Sequence, residues 1–228
     1  MKNECIKQQL ITYLYSFITP NKQEKIKQII NLRTRHITVV LEDIFQPHNA
    51  SAILRSVECQ GLQDLYLVEH LNMFNPTGGI AKGSSYWLDM HRYKKIEECM
   101  KDLKSKGYRI VATTPHHNAR YIHELPLDTK CALVFGTEHV GLSSYVLNNA
   151  DEFVKIPMYG FTESYNVSVS VALCMYEFNA RLRNSTIPWQ LSYEEQLDVQ
   201  LQWLRRLISG ITRIEQEWLE KHAPAHTL

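Results

Sequence analysis

Between residues 37 and 156, short apolar runs alternate with longer amphipathic segments, and this alternation constrains the fold more than any other feature of the sequence. The first run, at 37–41, is rich in β-branched residues, as is typical of a strand buried in a parallel sheet. Further strands are predicted at 65–68, 86–91, 108–113, 131–135 and 152–156, with helices at 49–60, 94–106 and 143–149. This order predicts an α/β domain over residues 36–185, with a mainly parallel sheet and helices on both faces.

Helical segments flank this domain on both sides. Residues 3–17 and 22–33 are predicted to form two short helices separated at Pro20, and residues 192–221 one long helix. The long helix carries an apolar stripe that has to pack either on the body of the protein or on a second subunit. Its members are Leu197, Leu201, Leu204, Leu207 and Ile208. The chain is therefore predicted to have three parts: an N-terminal extension at 1–35, the α/β domain at 36–185 and a C-terminal extension at 186–228.

The N-terminal extension is basic, although the whole chain has a net charge of only +1. Residues 1–36 hold seven Lys and Arg residues against two Glu residues. A local excess of positive charge can bind the phosphate backbone of a nucleic acid. The residues predicted to do so are Lys22, Lys25, Lys27, Arg33 and Arg35. A solvated pair of amphipathic helices would give the same charge pattern, so charge alone leaves both interpretations open.

Missing motifs exclude several common kinds of site. No GxG occurs, which excludes a Rossmann dinucleotide site, and neither HExxH nor GxSxG is present. The loop from Gly78 to Gly83 is not a P-loop, because Ser84 follows where lysine is required. The pair His116–His117 has no Cys or carboxylate at ligand spacing and is predicted to be a surface turn. No metal site is therefore expected.

Cysteine spacing and hydropathy indicate the compartment. The five cysteines are far apart and none forms a CxxC pair, which favours free thiols in a reducing compartment. No apolar run approaches the roughly 20 residues that are needed to cross a bilayer. We therefore expect a cytoplasmic protein without membrane association.

Three polar segments stand out in the α/β domain. In the first, Pro47–Ser56, Pro47 suits a helix start and Asn49 is placed to cap it. Arg55 follows among apolar neighbours, where a buried guanidinium would need an anion or a carboxylate partner. A pair with Glu58, one turn on, would be the purely structural explanation.

The second and third segments each lead from a strand into a helix. In Leu133–Ser143, a buried strand runs into a glycine turn that carries Glu138, and Ser143 can cap the next helix. In Ile156–Leu173, Val and Ser alternate strictly from residue 167, which by itself predicts a strand. Because the apolar pattern continues to residue 181, a helix capped by Ser164 or Asn166 is favoured. Its first N–H groups would face a ligand.

In this order, the three segments resemble the signature motifs of the SpoU branch of the SPOUT RNA methyltransferases. The resemblance covers residues 36–185, and both helical extensions match the layout of the longer members. It implies a trefoil knot in the C-terminal part of the domain, a homodimer, and S-adenosylmethionine (AdoMet) as the methyl donor to a ribose 2′-hydroxyl. The longer layout implies tRNA as the substrate, with methylation at guanosine-18 of the D-loop.

The same resemblance assigns roles to individual residues. The implied AdoMet-binding residues are Thr113, Gly136, Ile156, Tyr165 and Ser168. The implied catalytic residues are Arg55, Asn49, Glu138, Ser164 and Asn166. A guanidinium does not lose its proton in proteins and is a poor general base. Arg55 is therefore interpreted as a clamp that holds a phosphate and stabilises developing alkoxide charge. One segment, 161–163, departs from the pattern and adds Glu163 near the expected RNA entrance.

Alternative functions remain open at this stage. The same chemistry on ribosomal RNA or at another tRNA position is the nearest alternative. A catalytically silent RNA-binding protein on the same fold is an alternative of another class, which the presence of Arg55 and Asn166 disfavours. An oxidoreductase is opposed by the missing glycine fingerprint.

Overall fold

A computed structural model of the protein describes residues 2–77, 83–115, 119–137 and 140–222, except for the side chains of residues 2 and 3. These residues divide into two compact units. One unit is the α/β domain, Thr34–Trp189, and the other combines both helical extensions, up to Arg33 and from Gln190 onward. The two extensions, which were treated as separate parts of the sequence, thus belong to one unit.

The elements are numbered in chain order. The helices are α1 (Lys2–Tyr15), α2 (Pro20–Ile30), α3 (Pro47–Cys59), α4 (Ile96–Ser105), α5 (Ser144–Asn149), α6 (Val167–Arg183), α7 (Tyr193–Leu207) and α8 (Ile211–His222). The strands are β1 (Ile37–Glu42), β2 (Asp64–Val68), β3 (Asp89–Tyr93), β4 (Arg109–Thr113), β5 (Arg120–Tyr121), β6 (Cys131–Phe135) and β7 (Glu152–Lys155). Short 3₁₀ turns lie at Ser84–Tyr86 and Ile122–Glu124.

Within the described residues, the strands form one parallel sheet in the order β3-β2-β1-β6-β4-β7-β5. The central strand, β6, pairs with β1 on one side, where Val40 faces Val134, and with β4 on the other. The prediction of a mainly parallel α/β sheet is confirmed. The strand predicted at 86–91 is shifted, because a 3₁₀ turn occupies its first residues and β3 begins at Asp89.

Helices cover both faces of the sheet, as predicted. Side chains alternate along a strand, so Val39 and Leu41 of β1 join a core cluster with α3 and α6. Val40 points to the other face and joins a second cluster with α4 and α5. No helix in the described ranges is long and apolar enough to span a membrane.

In the unit formed by the extensions, the predicted apolar stripe packs on α1. Leu197, Leu201 and Leu204 are buried, as are Leu10 and Leu14 of α1. At the edge of this contact, the Tyr15 hydroxyl donates to Gln200 Oε1 over 2.7 Å, and burial raises the pKa of Tyr15 to about 12. The stripe thus finds its partner within the chain.

Two predicted helix limits in these extensions are wrong. The C-terminal helix is not continuous: α7 and α8 are separated near Gly210, whose φ of +70° lies in the left-handed region. Pro20 does not lie between the two helices; it is the first residue of α2. The Thr19 hydroxyl caps this helix by accepting a hydrogen bond from the Lys22 N–H. Proline suits this position because its missing N–H would have no helical partner there.

Candidate active site

The carboxyl ends of β6, β4 and β7 meet at one edge of the sheet, because these strands are neighbours in its order. A cavity of about 430 Å³ lies there, which is where parallel sheets bind ligands and is a volume typical of small-molecule sites. Of the residues assigned to the site from the sequence, those that line this cavity are Thr113, Gly136, Ile156, Ser164, Tyr165 and Asn166.

A tight turn after β6 forms one wall of the cavity and requires glycine at its start. Thr137 and Gly141 exchange two backbone hydrogen bonds of 3.1 and 3.0 Å across this turn. A Cβ atom on Gly136 would lie 2.1 Å from the carbonyl oxygen of Gly141 and 2.5 Å from the backbone nitrogen of Leu142. A side chain at position 136 would therefore force the turn open.

Polar groups tie the strand ends together around this turn. The Thr113 hydroxyl donates to the Val134 carbonyl over 2.7 Å and joins the end of β4 to β6. The buried carboxylate of Glu42, at the end of β1, accepts from the Ser143 N–H over 2.9 Å. The predicted cap of the next helix is confirmed, since the Ser143 hydroxyl accepts from the Val146 N–H at the start of α5. The protein itself thus holds this wall in place.

Asn166 begins the third segment's helix and links it to the first segment. Its Oδ1 accepts from the backbone N–H of Ser168 over 2.8 Å and from the Ser168 hydroxyl over 2.6 Å. Its Nδ2 donates to Asn49 Oδ1 over 3.1 Å. The predicted helix cap is confirmed at Asn166, and the strand suggested by the Val–Ser alternation does not form, because α6 occupies those residues.

The expectation that Asn49 caps α3 is wrong. The helix starts earlier, at Pro47 with Gln46 before it, so Asn49 lies inside the first turn. Asn49 is buried, and its Nδ2 donates to Gln46 Oε1 over 3.0 Å while its Oδ1 faces Asn166. It therefore acts as a buried link between the two segments.

Arg55 lies on α3 but is exposed, so the argument that a buried guanidinium needs a partner does not apply to it. Its guanidinium forms no hydrogen bond or ion pair with any residue that the structure describes, Glu58 included. Arg55 is also not among the residues that line the cavity. Within the part of the chain that the structure describes, nothing prevents this side chain from binding an anion such as a phosphate.

One further assignment changes, two residues are added to the cavity wall, and one assignment falls outside the described residues. Ser168 is not on the cavity wall; its hydroxyl and N–H are bound to Asn166 instead. Ser170 and Cys174 of α6 line the cavity, three and seven residues after Val167. This helical spacing could have identified them in the sequence, but the alternation of Val and Ser suggested a strand instead. Burial raises the pKa of Cys174 to about 12. Glu138, like the pair at 116–117, lies outside the described residues.

Two of the basic residues assigned to RNA contacts are engaged within the protein. Arg33 is 1% exposed, and its guanidinium lies 5.6 Å from the centre of the Trp203 ring. Arg35 forms ion pairs of 2.8 Å with both Asp64 and Asp89. Arg33 is therefore too buried to present its guanidinium to a phosphate, and Arg35 already has two carboxylate partners. The remaining three are lysines: Lys22 is half-buried, and Lys25 and Lys27 are exposed.

No three His, Cys, Asp or Glu side chains are grouped as a metal site would require within residues 2–77, 83–115, 119–137 and 140–222.

Comparisons with known proteins place this site in context. The chain is 43% identical over 205 residues to a tRNA (guanosine(18)-2'-O)-methyltransferase of Borreliella burgdorferi, covering 90% of this chain and 94% of that protein. A solved structure, the TrmH/SpoU tRNA modifying enzyme of A. aeolicus, is 26% identical with a TM-score of 0.73, covering 81% of this chain and 95% of that one. The fold also matches AviRb, a SpoU methyltransferase from Streptomyces viridochromogenes solved with AdoMet, at 22% identity and a TM-score of 0.61, over 69% of this chain and 62% of that one.

The similarity to SpoU structures implies the SPOUT trefoil knot in the α/β domain. Residues 36–176 match the family described as "SpoU rRNA Methylase family". On these grounds, the chain belongs to the SpoU family of RNA methylases.

Proposed function

We propose that this protein transfers the methyl group of AdoMet to the ribose 2′-hydroxyl of guanosine-18 in tRNA. The observation that carries the proposal is the bond from Asn166, on the cavity wall, to Asn49, on the helix that bears Arg55. This bond joins the third segment to the first, and the second segment lines the same cavity through Gly136 and Leu142. The chain is also closely related to a protein that is named for this reaction.

The cavity fits AdoMet in size and chemistry. Its wall mixes apolar side chains with hydroxyl and amide groups, as an adenosine and an amino-acid chain require. The backbone N–H of Leu142, a buried residue on this wall, donates no hydrogen bond to any described residue and is free for a ligand acceptor. Thr113, Gly136, Ile156 and Tyr165 would hold the molecule. When bound, AdoMet supplies a methyl group that is already activated by its sulfonium.

Polar residues of the three segments would place and activate the nucleophile. A ribose 2′-hydroxyl is a poor nucleophile that needs both orientation and removal of its proton. Arg55 would clamp the adjacent phosphate and stabilise negative charge on the 2′-oxygen, while phosphate or water takes the proton. Asn49 and Ser168 hold Asn166 in place. Glu138 is proposed to help orient this arrangement by resemblance to the family.

We further propose that the protein acts as a homodimer. Three side chains on α6, Val169, Leu173 and Tyr176, form a stripe that is 43, 38 and 68% exposed. The stripe follows directly on Tyr165 and Asn166 at the cavity. A second copy covering this stripe would bury apolar surface. Because Arg55 does not line the cavity of its own chain, we propose that the second copy supplies it. A Leu173→Lys variant should shift the mass measured by light scattering from dimer to monomer.

The three lysines of α2, of which Lys25 and Lys27 are exposed and Lys22 is half-buried, are proposed to contact the tRNA backbone. Each lost phosphate contact should lower the slope of log K against log salt by about one. The triple variant Lys22→Ala, Lys25→Ala, Lys27→Ala should therefore bind tRNA more weakly and with a flatter salt dependence. Unchanged affinity would remove α2 from the binding surface.

One experiment tests activity and substrate together. The purified protein is incubated with tritiated AdoMet and unmodified tRNA transcript, beside a transcript with adenosine at position 18, a ribosomal RNA fragment, and an Arg55→Ala variant. We expect label in 2′-O-methylguanosine of the first transcript alone, lost with Arg55→Ala. Label only in ribosomal RNA would keep the chemistry and overturn the substrate. AdoMet binding without label in any RNA would support the silent RNA-binding protein.

A further inference from the structure

We propose that Arg181 positions one wall of the AdoMet cavity and thereby sets the affinity for AdoMet, although Arg181 itself does not line the cavity. The inference rests on the proposed function, since it concerns the same cavity. It makes Arg181 a positioning residue that acts through Ile122.

The wall concerned is the segment 122–127, which joins β5 to β6. It contributes Ile122 to the cavity and buries Leu125 and Leu127 in the core of the α/β domain. Apart from the 3₁₀ turn at its start, the segment belongs to no helix or strand. Its carbonyl groups therefore have no ladder or helix partners and take hydrogen-bond donors from other parts of the chain.

Arg181 supplies two of these partners with one guanidinium. Nη1 donates to the carbonyl oxygen of Ile122 over 3.0 Å, and Nη2 donates to that of Leu125 over 2.5 Å. Ile122 is the first residue of the 3₁₀ turn, and Leu125 directly follows its last residue. The guanidinium thus fixes both ends of the turn and, with them, the position of Ile122.

The rest of the segment is held in the same way by other elements. Arg109 Nη2 donates to the Pro126 carbonyl over 2.5 Å, and His36 Nε2 lies 2.7 Å from the Leu127 carbonyl. These two contacts hold the C-terminal end of the segment, which is several residues away from Ile122 along the chain. Among these donors, Arg181 is the one bound to the cavity-lining residue itself.

The position of Arg181 on α6 connects it to the cavity a second time. Arg181 follows Cys174 by seven residues, or about two helical turns, so both lie on one face of α6. Cys174 lines the cavity, and this helix packs on the 3₁₀ turn. The same helix face therefore forms one part of the cavity wall and fixes another.

A matched pair of variants tests the role. Arg183, two residues on, donates to the Gln60 carbonyl over 3.3 Å and lies 4.5 Å from the Trp189 ring centre, and none of these residues lines the cavity. We expect Arg181→Met to raise the Kd for AdoMet by about tenfold in calorimetry, and Arg183→Met to change it by less than about twofold. The KM for AdoMet should rise with the Kd, while kcat at saturating AdoMet stays within about twofold. Arg181→Lys should recover part of the affinity, because an ammonium can reach one carbonyl but lacks the guanidinium fork.

A double-mutant cycle tests whether the effect passes through Ile122. Ile122→Ala should itself weaken AdoMet binding, and adding Arg181→Met should then cost much less than tenfold, because contacting residues are not additive. Full additivity of the two changes would overturn the proposal. So would equal losses of AdoMet affinity in Arg181→Met and Arg183→Met, which would indicate a general loss of structure.

Failure of the proposed function is distinguishable from failure of this inference. If the wild-type protein does not bind AdoMet, both are wrong. If the wild type binds AdoMet and Arg181→Met binds it equally tightly, only the role of Arg181 is wrong.

Discussion

Replacing Gly136 with alanine measures how tightly the turn after β6 is closed. The new Cβ would lie 2.1 Å from the carbonyl oxygen of Gly141, 2.3 Å from its carbonyl carbon and 2.5 Å from the backbone nitrogen of Leu142. All three are backbone atoms, so rotating a side chain cannot relieve the clash. Overpacking costs about 1–3 kcal/mol, and opening the turn also endangers its two hydrogen bonds, each worth about 1 kcal/mol. We expect the free energy of unfolding to fall by about 3 kcal/mol.

Thermal denaturation followed by circular dichroism gives the magnitude. In a protein of this size, each kcal/mol shifts Tm by about 2–4 °C, so Gly136→Ala should melt about 6–12 °C below the wild type. Because the turn is part of the cavity wall, the remaining folded protein should also bind AdoMet more weakly. Titration of AdoMet at a temperature below both transitions measures this second effect.

Two other glycines serve as controls. A Cβ on Gly160 would meet no atom within 4 Å, so Gly160→Ala should stay within about 0.5 kcal/mol of the wild type. Gly141 also has open space, but its φ of +74° should cost an alanine about 1–2 kcal/mol. The expected order of destabilisation is therefore 136, then 141, then 160. Equal melting temperatures for Gly136→Ala and Gly160→Ala would refute the argument from the clash.

Three further predictions concern a helix cap, the buried thiols and a buried carboxylate. Asn166→Ala should lose about 1 kcal/mol of stability in urea denaturation, because it removes the helix cap. Asn166→Asp keeps the cap acceptor and should stay folded, but methyl transfer should slow because a carboxylate cannot donate to Asn49. Full activity of the Asp variant would show that the bond to Asn49 is dispensable. Burial raises the pKa of Cys99, Cys131 and Cys174 to about 12, so iodoacetamide at pH 8 should label only Cys5 and Cys59 in the folded protein and all five thiols in urea, as counted by mass spectrometry. Burial opposes ionisation of Asp64, but the hydrogen bonds and charges of His91 and Arg35 outweigh burial and lower the pKa of Asp64 below its usual 3.8. The stabilisation by the ionised carboxylate is therefore complete above about pH 4 and is lost as the pH falls through the lowered pKa. In urea denaturation, the difference in stability between wild type and Asp64→Asn should shrink as the pH falls below about 4 and stay constant above it.

The strands were predictable because burial on both faces leaves a direct trace in the sequence. The run at 131–135 coincides with β6, and the run at 37–41 falls one residue short of β1. The strand order was not predictable from these runs, since nothing in a buried strand specifies which of several similar strands it pairs with. The helix break at Gly210 was likewise not predictable, because apolar residues follow it at helical spacing, at Ile211, Ile214 and Trp218.

The site was predictable where a residue interacts with residues close to it in sequence. It was not predictable where the interacting residue is distant in sequence. Ser143 and Asn166 cap the helices that follow them, which local pattern can show. Arg33 looked like part of a basic arm, but its partner Trp203 is 170 positions away. For the same reason, neither the exposure of Arg55 nor the role of Arg181 could be read from adjacent residues.

The place of β6 between β1 and β4 has a consequence for synthesis on the ribosome. A nascent chain can pair β1, β2 and β3 as they emerge, but β4 meets its partners only after residues 131–155 have been made. Until then, β1 and β4 each present an open strand edge, which is the kind of surface that promotes aggregation. We therefore expect chains arrested before residue 131 to depend on chaperones for their solubility. A ligand of the cavity should stabilise the nascent chain only after α6 has been translated, because α6 forms part of the cavity wall.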